Sequence, residues 1–203
     1  MNQKKIYAVS VVVGIIIGGV VIFFATRGGK TPSSLPTPAP SSVTVDAAAF
    51  ASWVEVAPDS RLFTARFPAA PDLSVGKVPI KDTDLSLIQE MHVAKDEQDN
   101  AYFAVTFVYP QPFDRDDPQK VLKTVLDGMV AALPGAKLTD SSTADYQGGP
   151  ALEFVIEDAK GLITQGKLFF REQVLYQVMV TYEEGSLEDS AYLYFLESFQ
   201  PAT

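Results

Sequence analysis

The sequence predicts an α+β domain, a largely antiparallel sheet with helices packed on it, behind one N-terminal transmembrane helix. Three observations carry this. Ile6 to Ala25 is an uncharged, apolar run. From Leu62 onward, short alternating segments succeed one another through polar or glycine-containing turns. Only two stretches, after Asp117 and after Ser186, have helical spacing, so strands and helices do not alternate as βαβ units.

The apolar run, taken with its flank as residues 6–26, is long enough at ~1.5 Å per residue to cross the roughly 30 Å hydrocarbon core of a bilayer. In lipid a lone segment satisfies its own N–H and C=O groups only as a helix. A cleaved signal peptide has a shorter core and small residues at its cleavage site. Phe23-Phe24-Ala25-Thr26 supplies neither, and the absence of cysteine excludes lipoprotein processing. The expectation is an uncleaved anchor with residues 1–5 as a cytoplasmic tip. Lys4 and Lys5 on one side and Arg27 and Lys30 on the other give only a slight basic asymmetry. The exported character of the linker and domain beyond the anchor sets the C-terminal side outside. Ser10, Gly14 and Gly18 form a small-residue stripe that would let two anchors pair; the abundance of glycine in membrane spans explains it equally without a partner.

Residues 27–45 hold Pro32, Pro36, Pro38 and Pro40 among serines and threonines, too little apolar surface to fold. At ~3.1 Å per residue in an extended PPII form, this linker holds a domain away from the bilayer. Residues 46–203 are compositionally globular and suffice for a single core. Of 16 basic and 25 acidic residues, Lys4, Lys5, Arg27 and Lys30 precede residue 46 and no acidic one does, so the domain carries 12 and 25, a formal charge of −13. Nucleic acid and anionic lipid are poor partners for such a surface. Without cysteine there is no disulfide framework, thiol nucleophile or thiolate metal site.

Asp46 to Phe50 reads as a capped helical turn leading to a strand at Trp53–Val56. Leu62–Phe67 alternates and stops at Pro68. Leu85–Val93 and Ala101–Tyr109 are longer strands joined by a polar hairpin loop, Lys95 to Asn100. Leu85, Leu87, Met91 and Val93 share one face of the first, and Phe103, Val105, Phe107 and Tyr109 one face of the second. Asp117-Pro118 supplies an N-cap and an N1 proline. The helix after it places Val121, Leu122, Val125, Leu126, Met129 and Leu133 on one side and ends at Pro134-Gly135. Lys137–Tyr146, Leu152–Glu157, Leu162–Phe170 and Val174–Tyr182 form an antiparallel meander through tight turns at Gly148-Gly149, Lys160-Gly161 and Glu172-Gln173. Ser186, with Asp189 three residues on, opens a last helix through Tyr192, Phe195 and Leu196 toward Phe199.

Trp53 with Pro58, Leu62-Phe63-Thr64-Ala65-Arg66-Phe67-Pro68, Asp117-Pro118, Gly148-Gly149-Pro150-Ala151-Leu152-Glu153-Phe154, Val174-Leu175-Tyr176 and Phe195-Leu196-Glu197-Ser198-Phe199 follow one another in an order that resembles the PsbP-like (Mog/PsbP) superfamily over nearly all of 53–199. The resemblance implies an α/β/α sandwich with a non-catalytic, partner-binding or accessory role, as in the photosystem subunits and Ran-binding members. It carries over no functional residue, and the anchor departs from the soluble lumenal members.

Few residue sets offer chemistry. His92, the sole histidine, shares a strand face with Glu90 and Ser86, which permits a histidine–carboxylate pair; the plainer reading is a surface or helix-covered histidine. One histidine and no cysteine exclude the familiar zinc sites. Asp114, Asp116 and Asp117, and Asp96, Glu97 and Asp99, are oxygen-rich but lack the spacing of a calcium loop. Glu183, Glu184, Glu188 and Asp189 suit the start of a helix. Gly148-Gly149-Pro150 precedes a strand and lacks the Lys-Ser/Thr of a phosphate loop. Tyr176, Tyr182, Tyr192 and Tyr194 read as core residues with hydroxyls at the rim, or as pocket lining. No catalytic residue, cofactor or metal site is assigned.

The functional expectation is a membrane-tethered, extracytoplasmic binding or accessory module at the cell envelope that acts on a protein partner. The alternatives are a carboxylate hydrolase, using Glu90 with Glu153 or Glu157, and small-ligand or ion carriage. Converging carboxylates in a pocket would favour the hydrolase, and an exposed apolar patch the partner.

Overall fold

The computed structural model describes residues 45–80, 84–110 and 117–202. The expected anchor at 6–26, the linker up to residue 44, Asp114 and Asp116 lie outside them. Among the described residues no helix is long and apolar enough to cross a membrane.

The Asp46 carboxylate accepts the Ala48 N–H at 3.0 Å and caps a 3-10 turn, Ala47–Phe50. Five strands follow: β1 (Val54–Val56), β2 (Phe63–Phe67), β3 (Asp72–Pro79), β4 (Ser86–Lys95) and β5 (Ala101–Val108). Helix α1 (Pro118–Ala132) precedes β6 (Lys137–Tyr146), β7 (Gly149–Glu157), β8 (Leu162–Arg171) and β9 (Val174–Glu183). Helix α2 (Asp189–Ser198) and the two-residue β10 (Gln200–Pro201) close the chain.

Seven strands form one sheet in the order β3-β4-β5-β9-β8-β7-β6, every neighbouring pair antiparallel. The expected meander is its β6–β9 half. The two-residue turn Gln147-Gly148 joins β6 to β7 with positive φ at both residues, 52° and 78°, the twist such a hairpin requires. Gly166 answers a different need. A Cβ there would stand 2.4 Å from the Val178 carbonyl oxygen and 2.5 Å from the Met179 Cβ.

Each face of the sheet has its own core. On one, Leu122, Val125, Leu126, Met129 and Leu133 of the α1 stripe meet Phe103, Val105, Phe107 and Phe154. Asp117 caps α1 by accepting the Lys120 N–H at 3.0 Å. On the other, Phe195, Leu196 and Phe199 of α2 and its C-cap join Phe63, Ala65 and Phe67 of β2 against Tyr102, Phe169 and Tyr176. Aromatic rings dominate this second core. Phe63 stacks on Phe199 with ring centres 5.0 Å apart, and Phe169 on Tyr176, also at 5.0 Å. The architecture is thus antiparallel sheet with a helix on each face, as the sequence predicts.

Four features differ from the sequence expectation. Asp72–Pro79 is a strand, and it forms one edge of the large sheet. β1 and β2 do not extend that sheet; with β10 they make a separate three-stranded sheet that shares one face with α2. Leu85 lies before β4 and is exposed, so it does not join Leu87 in the core. The last helix starts at Asp189 with Glu188 at its N-cap and no side-chain cap. The Ser186 hydroxyl is engaged elsewhere, its one proton lying between two acceptors, Asn100 Oδ1 at 2.5 Å and the Glu183 carbonyl at 2.8 Å.

Candidate functional site

His92, Glu90, Glu153 and Glu157 lie on the face of the large sheet that carries α2 and the small sheet. Its even-numbered β4 residues and odd-numbered β3 residues point the same way, because Leu73 pairs with His92, Val75 with Glu90 and Lys77 with Ile88.

His92 is neither a surface residue nor covered by a helix. It is 4% exposed and lies under Phe63 of β2, whose ring meets it edge-on at 5.3 Å. Its Nε2 is 2.8 Å from Glu90 Oε1, and Ser60, in the connection between β1 and β2, donates to the same oxygen at 3.0 Å. The pair permitted by the i, i+2 spacing therefore exists, and Ser60 is the member the sequence did not reveal. Ser86, the other residue of that face, is exposed at the strand's first position. Thr106, directly opposite Glu90 on β5, is fully buried with no hydrogen-bond partner for its hydroxyl among the described residues. In this row the carboxylate, not the imidazole, sits between the other two groups. A nucleophile needs a base to take its proton, and Ser60 faces no imidazole nitrogen here.

Glu90 does not converge on Glu153 or Glu157. β4 and β7 stand four places apart in the sheet, ~19 Å at the usual strand spacing of about 4.8 Å. Glu153 is instead ion-paired with Lys167 across β7 and β8, and the Lys167 ammonium lies 5.2 Å from the centre of the Tyr146 ring. This pair borders a small cleft of about 130 Å³ between α2 and the β6–β8 surface, lined by Asp140, Ser142, Glu153, Gln165 and Tyr192. Burial raises the Tyr192 hydroxyl well above its ordinary pKa, with the Glu153 charge adding to the effect.

The acidic loop Asp96–Asn100 is built around one carboxylate. Asp96 accepts the N–H groups of Gln98 and Asn100 and the Asn100 side-chain amide, each at 2.9 Å, and the Tyr102 hydroxyl at 3.2 Å. Its oxygens are occupied by the turn they form. Glu97 and Asp99 are exposed, and among the described residues no three acidic or histidine side chains gather as metal ligands. Gly149 opens β7 beside Arg171, which donates to the carbonyls of Tyr146 and Gln147 and so ties down the Gly148 turn. Of the flagged tyrosines, Tyr176 donates to the Leu62 carbonyl at 3.0 Å, and Tyr194 stacks on Phe50 at 4.5 Å. Burial pushes Tyr182 up to about 12, with the Asp189 charge adding to it.

What the same face leaves open is apolar. Leu73, Val75 and Ile88 are 59%, 61% and 49% exposed. Leu73 and Val75 are neighbours on one face of β3 and Ile88 lies diagonal to Val75 on β4, beyond the reach of the α2 and β2 layer that covers Ala94, Tyr102 and Ala104. Sequence reasoning missed this strip because it left β3 unassigned. The alternation of Leu73 and Val75 was the available signal.

The fold is similar to that of the cyanobacterial PsbP (CyanoP) from Synechocystis sp. PCC 6803. The two share 14% identity, with a TM-score of 0.46, over 81% of this chain and 98% of that one. At this TM-score the similarity decides neither family nor role. No family model and no curated protein matches the chain.

Proposed function

We propose that this chain is an accessory module that works by binding a protein partner, held at a membrane by residues 6–26 with its acidic domain outside the cytoplasm. The observation that carries the reading is the strip of Leu73, Val75 and Ile88, exposed side by side on an otherwise well-packed sheet. Exposed apolar neighbours of this kind commonly mark interaction surfaces. The polar groups beside the strip are committed to one another, Glu90 to His92 and Ser60. Tethering would raise the effective concentration of the domain toward a membrane-bound partner without any new contact.

A triple change, Leu73→Ser, Val75→Ser and Ile88→Ser, tests the binding role. It touches only exposed side chains, so near-native thermal stability and reproduction of the deletion phenotype are the expected results. A stable triple variant that complements fully would overturn the reading. The tether has its own test. The full-length protein should resist carbonate and high-salt extraction, because burial of the apolar 6–26 run is not screened by salt. External protease should cut within residues 27–45.

A further inference from the structure

The strip lies on an edge strand whose backbone is as open as its side chains. Ile80 N–H donates to the Leu85 carbonyl at 2.9 Å, and that pair continues the β3–β4 register of Pro79 with Ser86. In an antiparallel ladder the residues that exchange bonds with one neighbour alternate with those that face away. Even-numbered β3 residues therefore bond to β4. Leu73, Val75 and Lys77 direct their N–H and C=O groups out of the sheet, where no described strand pairs with them. At the opposite edge, β6 is interrupted by a register shift between Leu138 and Asp140 and carries the polar run Asp140-Ser141-Ser142-Thr143. Those are the usual devices that discourage pairing. β3 has proline only at its end and one lysine, no register shift interrupts its pairing with β4, and it exposes Leu73 and Val75 on one face.

Resting on the accessory-module reading, we propose that β3 accepts an extended segment of the partner as an eighth, antiparallel strand of the large sheet. That segment alternates β-branched or other apolar residues and carries basic residues at its C-terminal end. The outward amides of Leu73, Val75 and Lys77 require a chain in strand conformation, and Leu73 and Val75 require apolar side chains at alternate positions on one face. Antiparallel entry brings the C-terminal end of the segment to Asp72 and its start to Lys77, so the positive charge belongs at the Asp72 end. A second copy of this chain fits poorly. An eight-residue edge is roughly 27 Å long and one strand wide, well short of the ~1,200 Å² that specific interfaces bury, and two domains of charge −13 repel.

The test uses the full-length chain in neutral detergent. The probe is a blocked peptide alternating threonine and valine over six residues and ending in two lysines. Binding should slow amide hydrogen exchange at Leu73, Val75 and Lys77 at least tenfold and leave β6 unchanged. Replacing the lysines by glutamates, or N-methylating alternate peptide nitrogens, should weaken binding at least tenfold. On the protein side Val75→Pro removes one outward N–H without breaking a bond to β4, and should do the same while the fold persists. N-methylation of the peptide leaves the protein untouched and stands in if Val75→Pro does not fold. No exchange protection, or equal binding of the acidic or N-methylated peptide, overturns the proposal. So does protection of the same amides that rises with protein concentration alone, which identifies a second copy. Protection already present at high dilution and lost on deletion of residues 1–44 identifies the chain's own N-terminal segment and overturns it too. If the peptide fails while the triple serine variant still loses function, the binding role stands and strand addition falls.

Discussion

At the scale of single residues, burial decides which substitutions matter, and it reorders what the sequence suggests. Phe107 and Phe195 are fully buried, one in each core, as their spacing predicts. Either change to alanine should cost about 3–5 kcal/mol in urea unfolding. The strand alternation puts His92 at a surface, yet it is enclosed with Glu90 and Phe63, so His92→Ala should cost about 1–3 kcal/mol by leaving a buried carboxylate short of a partner. A loss below ~0.5 kcal/mol would mean that the Glu90–His92 bond contributes nothing. Nothing in the sequence points to Ser60, because its contact with Glu90 bridges 30 positions. Gly166 is equally silent. Gly166→Ala should destabilise by about 1–3 kcal/mol, because its new methyl group meets a backbone oxygen of β9 as well as a side chain. A neutral result would show that β8 and β9 separate freely.

At the scale of elements, legibility follows the strength of the local signal. Helix α1 is readable end to end, since Asp117-Pro118 starts it, one stripe buries it and Pro134-Gly135 stops it. Strands β4, β5 and β7 to β9 are readable because each alternates or is largely apolar and is bounded by a turn, whereas the polar β6 is marked mainly by its place between Gly135 and the Gly148 turn. β3 is not, for a physical reason: six of its eight residues are exposed before Val78, so no core pattern marks it, and Gly76 and Pro79 argue against a strand. The start of α2 is displaced from its expected place because Ser186 and Asp189 imitate a capping box, whereas the Ser186 hydroxyl bonds to Asn100, distant in sequence. That contact fastens the Asp96 hairpin loop to the turn before α2. Asp96→Ala removes the acceptor for four hydrogen bonds, and should lower stability by about 2–3 kcal/mol and speed amide exchange at Gln98 and Asn100. Unchanged exchange at those amides would show that the loop holds itself without the carboxylate.

At the scale of the whole molecule, the two cores make stability sensitive to alkali. Burial raises Tyr182 to about 12 and drives Tyr102, Tyr109, Tyr146 and Tyr192 further above the ordinary value of 10.0. Above pH ~10 the unfolded chain releases these protons and the folded one keeps them. Stability is therefore full below pH ~10 and falls as pH rises through 10 toward 12 and beyond. Tyrosinate absorbance from the buried rings should appear together with loss of near-ultraviolet dichroism. Smooth titration of all the tyrosines with the dichroism intact would contradict the packing. The arrangement of the molecule as helix, large sheet, and helix with small sheet also explains why an apolar strip remains open, since α2 and β2 cover the central strands and the His92–Ala94 end of β4 but stop short of β3 and of Ile88. The central claim is that this uncovered strip is where a partner binds. Site-specific photo-crosslinking in intact cells tests it most directly, with the probe at Val75 in one strain and at Thr143 on the opposite edge in another. A discrete adduct from Val75, lost when Leu73→Ser and Ile88→Ser are added and absent from Thr143, is the predicted result; equal labelling from both edges, or none from Val75, would contradict it.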